Sequence, residues 1–139
     1  MDATVVALVG WITAHSSLAF ADPPRITFVP HHRMVEGFPG ANRLSPFLRL
    51  ESFYDAGNTT IVLPDTWRPS ELRDQSVLLH ELVHHAQRTS EIIESCPGSL
   101  ERQAYHLQIT WLREQGVTEP YALIGTNALV VLMLGACGE

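Results

Sequence analysis

Seven consecutive residues, Leu79-His80-Glu81-Leu82-Val83-His84-His85, contain the pattern His-Glu-x-x-His. On a helix, His80 and His84 stand at positions i and i+4 on one face, with Cβ atoms roughly 5–6 Å apart. Two imidazole nitrogens so placed can meet one Zn2+ at about 2.0–2.1 Å. Glu81, one residue past the first ligand, projects beside the ion, where a carboxylate can take a proton from zinc-coordinated water as that water attacks a carbonyl. With this many His and Glu, chance alone produces the pattern in about 2% of shuffled chains, so its surroundings must decide. Val77, Leu78, Leu79, Leu82, Val83 and Ala86 make the segment apolar on several sides, which predicts an interior helix. Two His and a Glu placed there without a ligand would bury polar groups at a cost.

A third protein ligand is required, and helix geometry removes the nearest candidates. Glu91 lies seven residues beyond His84, which at ~1.5 Å per residue is about 10 Å further along the axis; Glu94 is further still. The ligand must come from an element that folds back. Glu101 fits, because it follows the Pro97-Gly98 break near the start of the next helix. Ala104, three residues on, allows a close approach of the two helices, and Tyr105 shares the face of Glu101. The alternative for Glu101 is a first-turn acid that merely favours the helix dipole.

At these residues the chain resembles the gluzincins, zinc metallopeptidases with two His on one helix and a Glu on the next. The likeness runs from Thr59 to Gly116 and is strongest to small bacterial gluzincin-like domains of unassigned function. It rests on Leu-x-His-Glu-Leu-Val-His-His-x-Gln at Leu78–Gln87 and Glu-x-x-Ala-Tyr at Glu101–Tyr105. The resemblance implies His80, His84 and Glu101 as zinc ligands, Glu81 as general base, and Ser52–Leu63 as the source of an edge strand for an extended substrate. One position departs from the pattern. Many gluzincins carry an Asp four residues after the third ligand, orienting a metal-binding His; here that position is Tyr105. Either another acid takes that task, or Tyr105 has a different one. Its hydroxyl could stabilise an oxyanion, and a Tyr that only packs between helices is an equal alternative.

The elements that must position these residues are legible in outline. Residues 3–17 predict a helix, Arg25–Val29 a short strand ended by Pro30, and Gly37-Phe38-Pro39-Gly40 a turn. The stretch up to Arg49 has no clean period and reads as loop or short helix. Ser52–Asp55 and Thr59–Leu63 are β-prone runs around the turn Ala56-Gly57-Asn58. The metal helix opens at Pro69-Ser70-Glu71 or at Asp74 and runs to about Thr89. A second helix is expected from Leu100 to about Glu114, with Ser99 as N-cap and Gly116 at C′. Together these predict an α+β fold in one domain over 1–139, a minimal zincin-like arrangement of metal helix and glutamate helix beside a small hairpin or sheet.

The bulk composition narrows the function classes. Hydrophobic residues make up 45% and charged ones 17%, which is globular rather than disordered. The net charge is −6, all nine basic residues are Arg, and none form a run, which argues against nucleic acid as a partner. Ala19-Phe20-Ala21 resembles a signal-peptidase site at the end of an apolar segment 1–21. Yet Met1-Asp2 lacks positive side-chain charge, and a core helix carrying Val5, Leu8, Val9 and Ile12 explains the segment as well. Ala122–Cys137, at 16 residues, is short of the ~20 needed to span a bilayer and is read as core. Cys96 and Cys137 either pair, in an oxidising compartment, or are unrelated small buried residues. With the N-terminus, they lean towards a periplasmic or exported protein.

Among the other histidines, His85 lies about 100° around the helix from His84 and should not reach the same ion; it makes a supporting contact or faces solvent. His106 is a candidate for supporting the site, His15 suits a helix C-terminus, and His31 and His32 carry no assignment. The leading expectation is a zinc-dependent metallohydrolase, specifically a peptidase acting on a peptide or protein. The alternative is a metal-stabilised binding or sensor module without catalysis. An intact Glu81 favours catalysis, since a structural zinc site needs no base.

Overall fold

The computed structural model describes residues 2–36, 52–90 and 96–137. In chain order its elements are α1 (Ala3–His15), β1 (Arg25–Val29), α2 (Arg33–Glu36), β2 (Phe53–Asp55), β3 (Thr60–Pro64), α3 (Leu72–Thr89), α4 (Pro97–Glu114), α5 (Pro120–Leu123) and α6 (Ala128–Leu134). The fold is α+β: helices packed with one small mixed sheet. The expected turn at 37–40, the segment to Arg49, and Glu91 and Glu94 lie outside the described residues.

The sheet has the order β1-β3-β2. β2 and β3 form the expected antiparallel hairpin, with Phe53 opposite Val62, and the Asp55 side chain accepts hydrogen bonds from Asn58 across its turn. β1 joins the other side of β3 in parallel, Ile26 opposite Ile61. The central position explains why β3 alone buries Ile61, Val62, Leu63 and Pro64 in succession.

α3 is the hub. It packs against α1, α4 and both hairpin strands, which accounts for a helix apolar on several sides. Its Leu78, Leu79, Leu82 and Val83 meet Val5, Leu8 and Ile12 of α1, Ile61 and Leu63 of β3, and Ala104, Leu107 and Leu112 of α4 in one core. The apolar N-terminal segment is thus part of the core, and Leu18 beyond it is also buried.

Two expectations need correction. α4 does not begin after Pro97-Gly98 with Ser99 as cap; it begins at Pro97, with Cys96 in the N-cap position. Proline suits a first helical residue because the N–H it lacks would have no partner there. Gly98 is required for a different reason: a Cβ on it would lie 2.4 Å from the Ala136 carbonyl oxygen. The far end conforms to expectation. Gly116 has φ +90°, and the N–H groups of Gly116 and Val117 bond the Arg113 and Leu112 carbonyls, a Schellman closure.

The second correction concerns Ala122–Cys137, which is not core. α6 buries none of its residues fully, and Leu129, Leu132 and Met133 are 65%, 70% and 66% exposed. The segment lies against α4 on one side, and among the described residues no further layer covers it. It is held by the Cys96–Cys137 disulfide and by an Arg102 N–H bonded to the Gly135 carbonyl at 2.6 Å. Among the described residues no helix is long and apolar enough to cross a membrane.

Candidate metal centre

α3 places His80 and His84 on the side that faces α4, and α4 brings Glu101 to them. One ligand atom from each of the three lies within 4.8 Å of the others. His84 Nε2 is 2.5 Å from Glu101 Oε1, and His80 Nε2 is 3.4 Å from Glu101 Oε2. All three predicted ligands converge, and both imidazoles present Nε2 to the same carboxylate. Ala104, fully buried one turn after Glu101, lets α4 approach closely enough for this.

The opposite ring nitrogens are held by amides, not by an acid. His80 Nδ1 lies 2.9 Å from Gln108 Oε1, Gln108 Nε2 donates to Ser76 Oγ, and Ser76 donates to the Arg73 carbonyl. His84 Nδ1 lies 2.9 Å from Gln87 Oε1, while Gln87 Nε2 donates to the Leu100 carbonyl and to Gln103. Each chain ends on a backbone carbonyl, which can only accept. The direction of every bond follows, so each histidine carries a proton on Nδ1 and presents Nε2 to Glu101. Gln108 and Gln87 therefore fix the orientation of the two imidazoles. Sequence reasoning missed both glutamines, although Gln87 stood inside the quoted motif.

Glu81 is buried, and Ser52 Oγ donates to its Oε2 at 2.6 Å. Ser52 directly precedes β2, an outer strand of the three-stranded sheet, so this bond fixes the hairpin beside Glu81. Charge at the cluster is coupled. Burial opposes protonation of His84, but the hydrogen bond and charge of Glu101, with the charge of Glu81, hold its pKa up to about 9. Burial also pushes the Glu101 carboxyl upward, yet the two imidazoles outweigh it and hold the group well below the usual carboxylate range. His84 and Glu101 thus form a charged pair around a shared proton, where a cation is already favoured.

Tyr105 lies edge-on to His80 with ring centroids 4.5 Å apart. Burial first, then the charges of Glu101 and Glu81, raise its hydroxyl pKa. The group stays a neutral donor at ordinary pH. His85 does not face solvent: it is 1% exposed, its Nε2–H donates to the Asp22 carbonyl, and Tyr54 donates to its Nδ1. It ties the segment before β1 to α3 and is structural. His106 is exposed on another face of α4, away from His80, His84 and Glu101. His31 and His32 are exposed. His15 ends α1, with Nε2 3.4 Å from Glu114.

A family model described as a domain of unknown function (DUF6647) matches residues 1–138. Curated proteins and solved structures provide no match to the chain. With the family model spanning nearly every residue, the chain belongs to the DUF6647 family.

Proposed function

We propose that this protein is a zinc-dependent metallohydrolase of the peptidase class, with Zn2+ held by His80, His84 and Glu101. The observation that carries this reading is the donor set. Two imidazoles, oriented through Nδ1 by Gln108 and Gln87, and one carboxylate converge within 4.8 Å, which matches the three-ligand sets of catalytic zinc sites. A zinc ion bound there would polarise a carbonyl and lower the pKa of a water.

The remaining chemistry falls to side chains. Glu81, fixed through Oε2 by Ser52, takes a proton from the attacking water and returns it to the leaving amine. The Tyr105 hydroxyl, kept protonated by burial, donates a hydrogen bond to the oxyanion that develops on the carbonyl. A peptide substrate lies along β2, an outer strand of the sheet. The disulfide favours an oxidising compartment, periplasmic or exported.

The test is zinc content by mass spectrometry, followed by hydrolysis of a peptide library. Wild type is expected to hold about one zinc per chain and Glu101→Ala far less. Glu81→Gln should keep the metal and lose at least about 100-fold in rate. Failure of wild type to take up zinc overturns the reading. Zinc uptake with no hydrolysis, or hydrolysis unaffected by Glu81→Gln, leaves a metal-stabilised binding module or a different mechanism.

A further inference from the structure

A second face of α4 lines a cavity. Tyr105, Ile109 and Arg113 line a cavity of about 260 Å³ between α4 and the α5–α6 segment, with Tyr121 and Val131 on the opposite wall. Its floor is apolar and its ends are cationic. At one end the Arg113 guanidinium lies 5.9 Å from the centroid of the Tyr121 ring. Among the described residues its N–H groups meet no carboxylate and no hydrogen-bond acceptor. Arg102, at the other end, spends one N–H on the Gly135 carbonyl and likewise meets no acid. In a chain with 15 acidic and nine basic residues, two arginines on one cavity without an acid are set apart from the general charge pattern.

The chemistry of that arrangement is specific. A guanidinium is a rigid fork of donors that matches a carboxylate, and a ring face beside it holds it in place by cation–π attraction. Ile109 and Val131 continue from Arg113 as an apolar track towards Tyr105, about 12 Å away along α4 at ~1.5 Å per residue. The volume is below the roughly 300–1,000 Å³ of sites for drug-sized molecules, so it suits one side chain or a short tail, not a nucleotide or a helix.

We propose that this cavity binds an amphipathic carboxylate, an apolar side chain or short acyl tail ending in a free –COO⁻, with the carboxylate on Arg113 and the tail along Ile109 and Val131. The site uses none of the proposed zinc ligands, so it stands or falls apart from the hydrolase reading. Two sources share this chemistry: a peptide C-terminus with an apolar last residue, and a free short-chain fatty acid.

Calorimetric titration of the intact protein distinguishes them. The probes are octanoate, octanamide, and a hexapeptide ending in Leu with a free or an amidated C-terminus. Octanoate or the free-acid peptide should bind, and its uncharged counterpart should bind about tenfold or more weakly. The tighter of the two acids identifies the source. Arg113→Gln, at an exposed position outside the core, should erase the preference for the acid, Arg113→Lys should keep part of it, and Val131→Trp should fill the cavity and abolish binding. The same titration on Glu101→Ala should be unchanged even if zinc is lost. Absence of binding at millimolar concentrations, or acid binding indifferent to Arg113→Gln, overturns the proposal.

Discussion

The contact between His84 Nε2 and Glu101 Oε1, 2.5 Å in length, sets how the centre responds to pH. A histidine in the unfolded chain titrates near 6.5, whereas burial opposed by Glu101 and Glu81 leaves His84 at about 9 in the fold. Between those values the native state binds the extra proton. The stabilisation is therefore complete below about pH 6.5 and is lost as pH rises through about 9. The pair, counted once, contributes on the order of 3 kcal/mol at most. The thermal midpoint of metal-free protein should fall from about pH 7 to about pH 9, a slope that Glu101→Gln should flatten. A zinc ion held by the proposed ligands would displace the same proton, so its apparent affinity should rise about tenfold per pH unit up to about pH 9 and then level off. Competition with a chromophoric chelator across that range checks this, and an affinity independent of pH would mean that His84 is neutral before the metal arrives.

At the scale of elements, the junction between α4 and the C-terminal segment depends on Gly98. A Cβ there would meet the Ala136 carbonyl oxygen at 2.4 Å and its carbon at 2.9 Å, backbone atoms that cannot rotate aside. Gly98→Ala should destabilise the protein by about 1–3 kcal/mol, with faster amide exchange over α6, as measured by chemical denaturation and hydrogen–deuterium exchange. Intrinsic helix propensity alone would predict the opposite sign, since Ala is favoured over Gly by up to about 1 kcal/mol. The experiment therefore separates local preference from tertiary contact. Gly116 is constrained by its own backbone, because φ +90° is strained for any side chain.

For the molecule as a whole, the disulfide closes a loop of 41 positions that contains all of α4, α5 and α6. Loop-closure entropy for that length corresponds to about 4 kcal/mol, and measured values commonly fall at about 2–4. Cys96→Ser with Cys137→Ser should lower stability by that amount in denaturant titration. Zinc stoichiometry should persist, because Ala104, Leu107 and Leu112 anchor α4 in the core independently of the bridge. Loss of zinc in the double variant would show that the bridge, and not the core, holds Glu101 in place.

The α+β class, the hairpin, the helix that carries His80 and His84, and the candidates His80, His84, Glu81 and Glu101 were readable from sequence because each rests on local spacing: a 3.6-residue period, an alternating run, a proline, a glycine at C′. The third candidate ligand, Glu101, was within reach because a length argument moved the search to a returning helix. What the chain order could not reveal were the contacts between distant segments. Gln108 and Gln87 hold the histidines because α4 folds onto α3, and a glutamine at helical spacing resembles any solvated residue until its neighbour is known. Ser52 reaches Glu81 across 29 positions, β1 pairs with β3 across the segment 30–59, and His85 becomes structural only when Asp22 and Tyr54 close over it. The apolar stretch at α6 shows the converse: its composition predicts burial, but burial needs a partner layer, and only the packing of the whole chain decides whether one is there.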